Sequence, residues 1–427
     1  MKLLLTLMAV LLVTIPAFAA PQNGYIEVTA PGNRLLKLAV EAPHTADAAP
    51  SAATAREIGE VIAFDMNMSG KVSADSRESI PLPGSITFGA TDFVPWMAGG
   101  YDLLVRSEYS LSGDNLTLEF RLYDVLNRKL MTSRRFLGKL KELRRFAHTF
   151  SDEIMLTLSG EKGCFTTRIA HVSTQTGNKE IVLMDWDGYN QLQVTRNGSI
   201  NLNPDFSPDG SELIYTSYKR GNPDLYKWSS AGGELLLSHR KGLNITGAWS
   251  PDGSRIALAL SKDGDAEIYT IARDGGNPVR LTVGPSLEVS PVWSPDGAKI
   301  AFVSDRLGKP QIFVMDANGG NVRRLTTAGG YNVNPRWSPK GDRIAYARMQ
   351  GGGFQIYAIN ADGSGDTQLT SDGSNENPAW SPDGRFIAFS SRRAGSEAIY
   401  VMRADGSGQT RVSKSKGRAT QPAWSQR

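Results

Sequence analysis

Hydrophobic and polar positions follow three different patterns along the chain. After Lys2 an unbroken apolar run extends from Leu3 to Val13. Between residues 35 and 160 strand-like and helix-like periods mix. Leu35 to Val40 reads as a strand, and Thr54-Ala55-Arg56-Glu57 has the form of a capping box opening a helix, with Ile58, Val61, Ile62 and Met66 at helical spacing. Tyr101 to Tyr109 and Leu116 to Val125 alternate as a hairpin across Ser112-Gly113-Asp114-Asn115. A strand near Leu130 to Phe136 leads into a helix carrying Leu140, Leu143, Phe146, Ala147, Phe150 and Ile154 on one face and ending by Gly160. This is the pattern of a small α/β domain. Within it Ala42 to Ala53, rich in Ala and Pro, reads as a loop, and Pro21 to Arg34, with two Pro and two Gly, reads as an exposed flexible tail.

From residue 165 onward the pattern repeats. Phe206-Ser207-Pro208-Asp209-Gly210 returns as Trp249 to Gly253, Trp293 to Gly297, Trp337-Ser338-Pro339-Lys340-Gly341 and Trp380 to Gly384, then as Trp424-Ser425, at steps of 43, 44, 44, 43 and 44 residues. Each unit predicts four short strands. The first ends at the aromatic residue, and Ser-Pro-Asp-Gly suits a type I turn, with Pro at its second position and Gly at its fourth. The second carries Ile-Ala, as at Ile256-Ala257 and Ile300-Ala301, and the third an apolar-aromatic pair such as Ile268-Tyr269. After Asp-Gly or Gly-Gly turns, the fourth reads Arg280-Leu281-Thr282 or Gln368-Leu369-Thr370. Four strands per 40 to 45 residues make a propeller blade.

Residues 165 to 201 hold a second, third and fourth strand but no first, whereas Gln421 to Ser425 is a first strand without followers. Pairing the two closes a ring and is expected to remove exposed sheet edges. The predicted fold is an N-terminal α/β domain plus an all-β six-bladed β-propeller closed by the C-terminal strand. The expected division is a signal peptide at 1–19, the N-terminal domain with its tail at 20–160, and the propeller at 161–427.

Composition narrows the picture further. With 44 Gly and 22 Pro in 427 residues, above average usage of roughly 7% and 5%, a helical bundle is excluded. The single Cys164 excludes a disulfide framework, and a net charge of +4 excludes nucleic-acid binding by bulk charge. Lys2, the apolar run and Pro16-Ala17-Phe18-Ala19-Ala20 form a secretory leader, with cleavage expected after Ala19. The alternative, a membrane anchor, needs about 20 apolar residues where roughly 11 are present. In a bacterium the expected destination is the periplasm.

Candidate chemistry is sparse. Nine Lys or Arg between Arg121 and Arg145 face only Asp124 and Glu142, which fits either a solvated face or a phosphate-binding patch. His44, His148, His171 and His239 occupy no repeated blade position and read as surface or satisfied core residues. The Asp of the repeated turn is replaced by Lys340 in one blade, which favours a turn role over metal binding. No complete G-x-S-x-G is present, since Gly284-Pro285-Ser286-Leu287-Glu288 lacks the second Gly, and Cys164 reads as a small buried residue. No catalytic residue, cofactor or metal is expected. Three residues before each aromatic lies Asn203, Thr246, Ser290, Asn334, Asn377 or Gln421, usually followed by Pro. Placed at the start of six first strands, they form a neutral hydrogen-bonding ring at one mouth of the channel. They either satisfy turn backbones or grip a partner.

The six-fold array, the junction Gly163 to Ala170 with Asp185-Trp186-Asp187-Gly188-Tyr189-Asn190-Gln191, and the α/β domain together resemble the TolB family of periplasmic propellers of the Tol-Pal system. The resemblance implies a binding protein without catalytic activity, a monomer that meets membranes only through its partners. It implies that the mouth formed by loops preceding the aromatic strands receives the lipoprotein Pal, matching Asn203, Thr246, Ser290, Asn334, Asn377 and Gln421. It also implies that the mature N-terminus engages TolA by strand addition, with Tyr25, Ile26, Glu27 and Val28 as the strand, although Pro21, Gly24, Pro31 and Gly32 depart from the expected pattern. The alternatives are a propeller binding glycan or peptide, and a propeller-type hydrolase, which would need a nucleophile elbow.

Overall fold

The computed structural model describes residues 34–45, 51–77 and 88–426. The first domain contains strands β1 (Leu36–Glu41), β2 (His44–Thr45), β3 (Val72–Arg77), β4 (Leu103–Ser112), β5 (Asn115–Asp124) and β6 (Lys129–Lys139), with helices α1 (Ala52–Ser69), α2 (Val94–Ala98) and α3 (Leu143–Ser159). The sheet runs β3-β1-β4-β5-β6, with β2 also on β4. β1 lies parallel to β3 and β4, while β4, β5 and β6 are antiparallel.

The helical spacing read in the sequence buries Ile58, Val61, Ile62 and Met66 of α1 and Phe146, Phe150 and Ile154 of α3 in a common core. Phe150 stacks on Phe120 at 4.8 Å and Phe146 on Phe136 at 4.9 Å. The start of α1 differs from expectation. Ser51, with extended φ and ψ, is the cap, and its hydroxyl accepts the Thr54 N–H at 3.2 Å. Thr54 is thus the third helical residue, and Ala52 and Ala53, read as loop, already propagate the helix. The 42–53 stretch also contains β2, and β3 and α2 carry no clear period in the sequence.

The propeller follows the repeat. Blade 1 joins Ala419–Trp424 to Arg168–Ser173, Glu180–Asp185 and Leu192–Gln193, so the last strand of the chain is the inner strand of the first blade. Blades 2 to 6 have the inner strands Asn201–Phe206, Asn244–Trp249, Glu288–Trp293, Asn332–Trp337 and Asn375–Trp380. The Ser-Pro-Asp-Gly turns close as expected. In blade 3 the Gly253 N–H donates to the Ser250 carbonyl at 2.9 Å and the Ser250 hydroxyl donates to Asp252 Oδ1 at 2.6 Å, so the Asp is engaged within the turn.

Ring closure does not remove the sheet edges. Each blade keeps an outer edge strand, but in five of the six it spans only two residues. A Ser or Thr hydroxyl then takes over the ladder: Thr195, Thr282, Thr326, Thr370 and Ser413 accept the N–H of Ile181, Ile268, Ile312, Ile356 and Ile399 at 2.8–3.0 Å.

The two domains share a buried seam. Trp186, fully buried, packs against Phe64 of α1 at 5.2 Å, Phe165 at 5.1 Å, Phe386 at 5.7 Å and Trp424 at 6.5 Å. Beside it, His148 of α3 bridges Asp65 of α1 at 2.8 Å and Asp187 of blade 1 at 3.2 Å, and Arg144 joins Asp187 to Glu57. Burial opposes a charged His148, but Asp65 and Asp187 outweigh it and raise the imidazole to about 10. Burial likewise opposes ionised Asp187, but His148 and Arg144 hold it down at about 2.

Three expectations follow. Trp424→Ala destabilises the protein by about 3–5 kcal/mol in urea unfolding, and a chain ending at Arg418 melts well below the full-length protein, since it loses the closing strand. The stability supplied by charged His148 is complete below pH 6.5 and is lost as pH rises toward about 10. Measured across that interval, His148→Gln should therefore lose less stability than the parent.

Candidate functional site

The channel is lined by the six inner strands. Asn203, Thr246, Ser290, Asn334, Asn377 and Gln421 come together in one ring, all half-buried. They do not start the strands at the rim. Each is the third residue of its strand, recessed into the channel, and each has φ of 52–55°. This left-handed residue produces the bulge found in every inner strand, as between Val333 and Arg336. Asn adopts that conformation readily, whereas β-branched Thr246 is strained there. The Pro that usually follows has no N–H to lose from the broken ladder. With Pro204, Pro291, Pro422, Gly247 and Arg336, the ring encloses a cavity of only about 30 Å³, so it is the channel's constriction.

The ring is chemically divided. Gln421 Oε1 accepts the Asn203 N–H at 2.9 Å and Thr246 Oγ1 accepts the Ser290 N–H at 3.2 Å. Those two side chains clamp adjacent blades, which is the backbone-satisfying role. The Asn203, Ser290, Asn334 and Asn377 side chains make no hydrogen bond among the described residues and remain available to a partner.

The residues that end the strands' approach to the mouth were not singled out in the sequence. Asn332, fully buried two positions before Asn334, donates to Gln311 Oε1 at 2.7 Å, which also accepts from Thr326 at 2.8 Å. Asn375 with Gln355 and Thr370, and Asn201 with Glu180, repeat this link from the inner strand of one blade to the third strand of the blade before it. Its signal was an Asn two residues before the ring residue in four of the six repeats.

Beyond the constriction the channel widens to a vestibule of about 480 Å³ walled by Phe206 and the five repeat tryptophans. Asp205 of blade 2 and Arg336 of the opposite blade 5 line it. Burial pushes the Asp205 carboxyl up to about 6, although the Arg336 charge and the Trp249 N–H, at 3.1 Å, act in the other direction.

The other candidates separate from the channel. His44 lies 3.3 Å from Glu41, His148 is in the domain seam and His239 is exposed. His171 corrects the expectation of a satisfied core histidine. It is fully buried in blade 1, neither ring nitrogen has a hydrogen-bond partner among the described residues, and burial lowers it to about 4, so it is neutral. Cys164 is buried and its thiol pushed up by burial. Tyr25, Ile26, Glu27 and Val28, the leader at 1–19 and the tail as far as residue 33 lie outside the described residues. No helix among the described residues is long and apolar enough to cross a membrane.

The six-blade channel joined to this α/β domain matches known proteins across both parts. Residues 155–427 match the TolB beta propeller domain and residues 24–131 the TolB amino-terminal domain. The chain belongs to the TolB family. Among curated relatives, the Tol-Pal system protein TolB of Geobacter sulfurreducens is 56% identical over 213 residues, 50% of this chain and 49% of that protein. That of Geobacter metallireducens is 57% identical over 210 residues, 49% of each chain. The chain thus spans about half the length of the curated relatives it matches. The crystal structure of TolB from Acinetobacter baumannii superposes with a TM-score of 0.80 at 25% identity, covering 92% of this chain and 97% of that one. The TolB architecture therefore extends through both domains.

Because folded Asp205 binds its proton more tightly than the unfolded chain does, its contribution to stability is present below pH 3.8 and lost as pH rises through about 6. Asp205→Asn, which keeps an acceptor for the Trp249 N–H, should remove that loss when unfolding is followed across this interval.

Proposed function

We propose that this chain is a non-enzymatic periplasmic scaffold of the Tol-Pal system. It binds the lipoprotein Pal at the propeller mouth and TolA through Tyr25, Ile26, Glu27 and Val28, and so maintains outer-membrane integrity and supports envelope constriction in cell division. On this reading residues 1–19 are the export leader, 20–160 the N-terminal domain and 161–427 the propeller. Family membership supports the system. The observation that carries the Pal assignment is the recessed polar ring, in which Asn203, Asn334 and Asn377 keep uncommitted amides. A partner that reaches them inserts a side chain or a short segment into the mouth, where it is desolvated and hydrogen bonds discriminate strongly. Gln421 and Thr246 act beside them by holding the ring's shape.

The experiment is a titration of the full chain with purified Pal. Parent protein binds, and Asn334→Ala with Asn377→Ala weakens binding by about tenfold or more, as expected for loss of two buried hydrogen bonds, without lowering the melting temperature. An absence of binding, or equal affinity for parent and double variant, rejects the assignment of the ring.

A further inference from the structure

Apart from Arg144, which pairs with Asp187 in the domain seam, the basic concentration between Arg121 and Arg145 is left unused by the propeller, and much of it lies along a free sheet edge. β6, Lys129–Lys139, is 11 residues long and ends the sheet order, paired only with β5. Among the described residues no strand lies on its other side, and the Lys139 N–H, which donates to Glu142 at 2.9 Å, is the one main-chain group of β6 taken up by a side chain. A row of unpaired N–H and C=O groups of this length is a template for another strand. The propeller's own edges, mostly two residues long, offer no comparable template.

The side chains decide which strand fits. Arg134 turns toward α3 and pairs with Glu153 at 3.2 Å. Lys129 and Arg135 have no carboxylate partner among the described residues, and Lys139 reaches only the Asn115 side chain, at 2.7 Å. Between these cations Leu137 is 73% exposed. A second copy of this chain pairing edge to edge would set the same cations against one another, so self-association is disfavoured. An extended segment with carboxylates at alternate positions neutralises Arg135 and Lys139, which share a face with Leu137 on the same side of the bulge between Leu130 and Thr132, and covers Leu137.

We propose that β6 is a docking edge for an extended acidic segment of a partner protein, which adds to the N-terminal sheet as a further strand. Main-chain hydrogen bonds supply the attachment, and Arg135 and Lys139 supply the selection for acidic sequence. The inference is independent of the channel and its ring.

The test uses the full chain and a synthetic peptide of about nine residues, a usual strand length, alternating glutamate with valine or threonine. Binding is expected, weakening with added salt, together with slowed amide hydrogen exchange along β6. Arg135→Glu with Lys139→Glu should weaken binding by about tenfold or more at unchanged melting temperature. Arg135→Gln with Lys139→Gln, free of introduced charge, should give a smaller loss in the same direction. Asn334→Ala with Asn377→Ala should bind the peptide like the parent. No binding, binding indifferent to these charges, or binding without protection of β6 would overturn the proposal. Charge-dependent binding to phosphatidylglycerol vesicles without β6 protection would likewise overturn it, by assigning the patch to a lipid surface.

Discussion

The pairing of the last strand, Ala419–Trp424, with Arg168–Ser173 is the contact on which the rest of the structure depends. It joins residues some 250 positions apart: Ser425 Oγ accepts the Arg168 N–H and the Trp424 indole donates to Thr167 Oγ1. Because each blade leans on its neighbours, a ring left open at this point would expose two inner faces at once. The same Trp424 packs on Trp186, which also receives Phe64 from the first domain. Closure of the ring and docking of the α/β domain therefore draw on one aromatic core, reinforced by the buried His148, Asp65, Asp187 and Arg144 group.

That coupling places the channel in context. The inner strands must bend at a fixed depth, and a single left-handed residue in each provides the bend. Six equivalent bulges narrow the channel to a constriction, separating the mouth from an aromatic vestibule that holds Asp205 and Arg336. Within the constriction, equivalence of position does not mean equivalence of role. Gln421 and Thr246 are spent on holding neighbouring blades, while the side chains of Asn203, Ser290, Asn334 and Asn377 are not. The proposals for the two domains likewise draw on different physics: discrimination by buried hydrogen bonds at the ring, and charge-selected main-chain pairing at β6.

The sequence by itself determined the blade count, the closing strand and the turn chemistry. Each depends on local residue preferences repeated six times, and repetition averages away the exceptions, such as Lys340. It also located the core faces of α1 and α3, where helical spacing alone selects the buried side. It placed the ring residues on one level, because equal spacing in equal blades puts them there. What only the tertiary structure decided were relations between distant residues. These include the depth of the ring, two residues inside the mouth, and the choice of Ser51 over Thr54 as a cap. They also include the pairing of His148 with two aspartates from different elements, and the burial of His171 where other blades carry large apolar side chains. Hydrophobic periodicity reports which side of an element faces inward; it carries no information about which polar group it will meet there, and that meeting separates a structural amide from one free to bind.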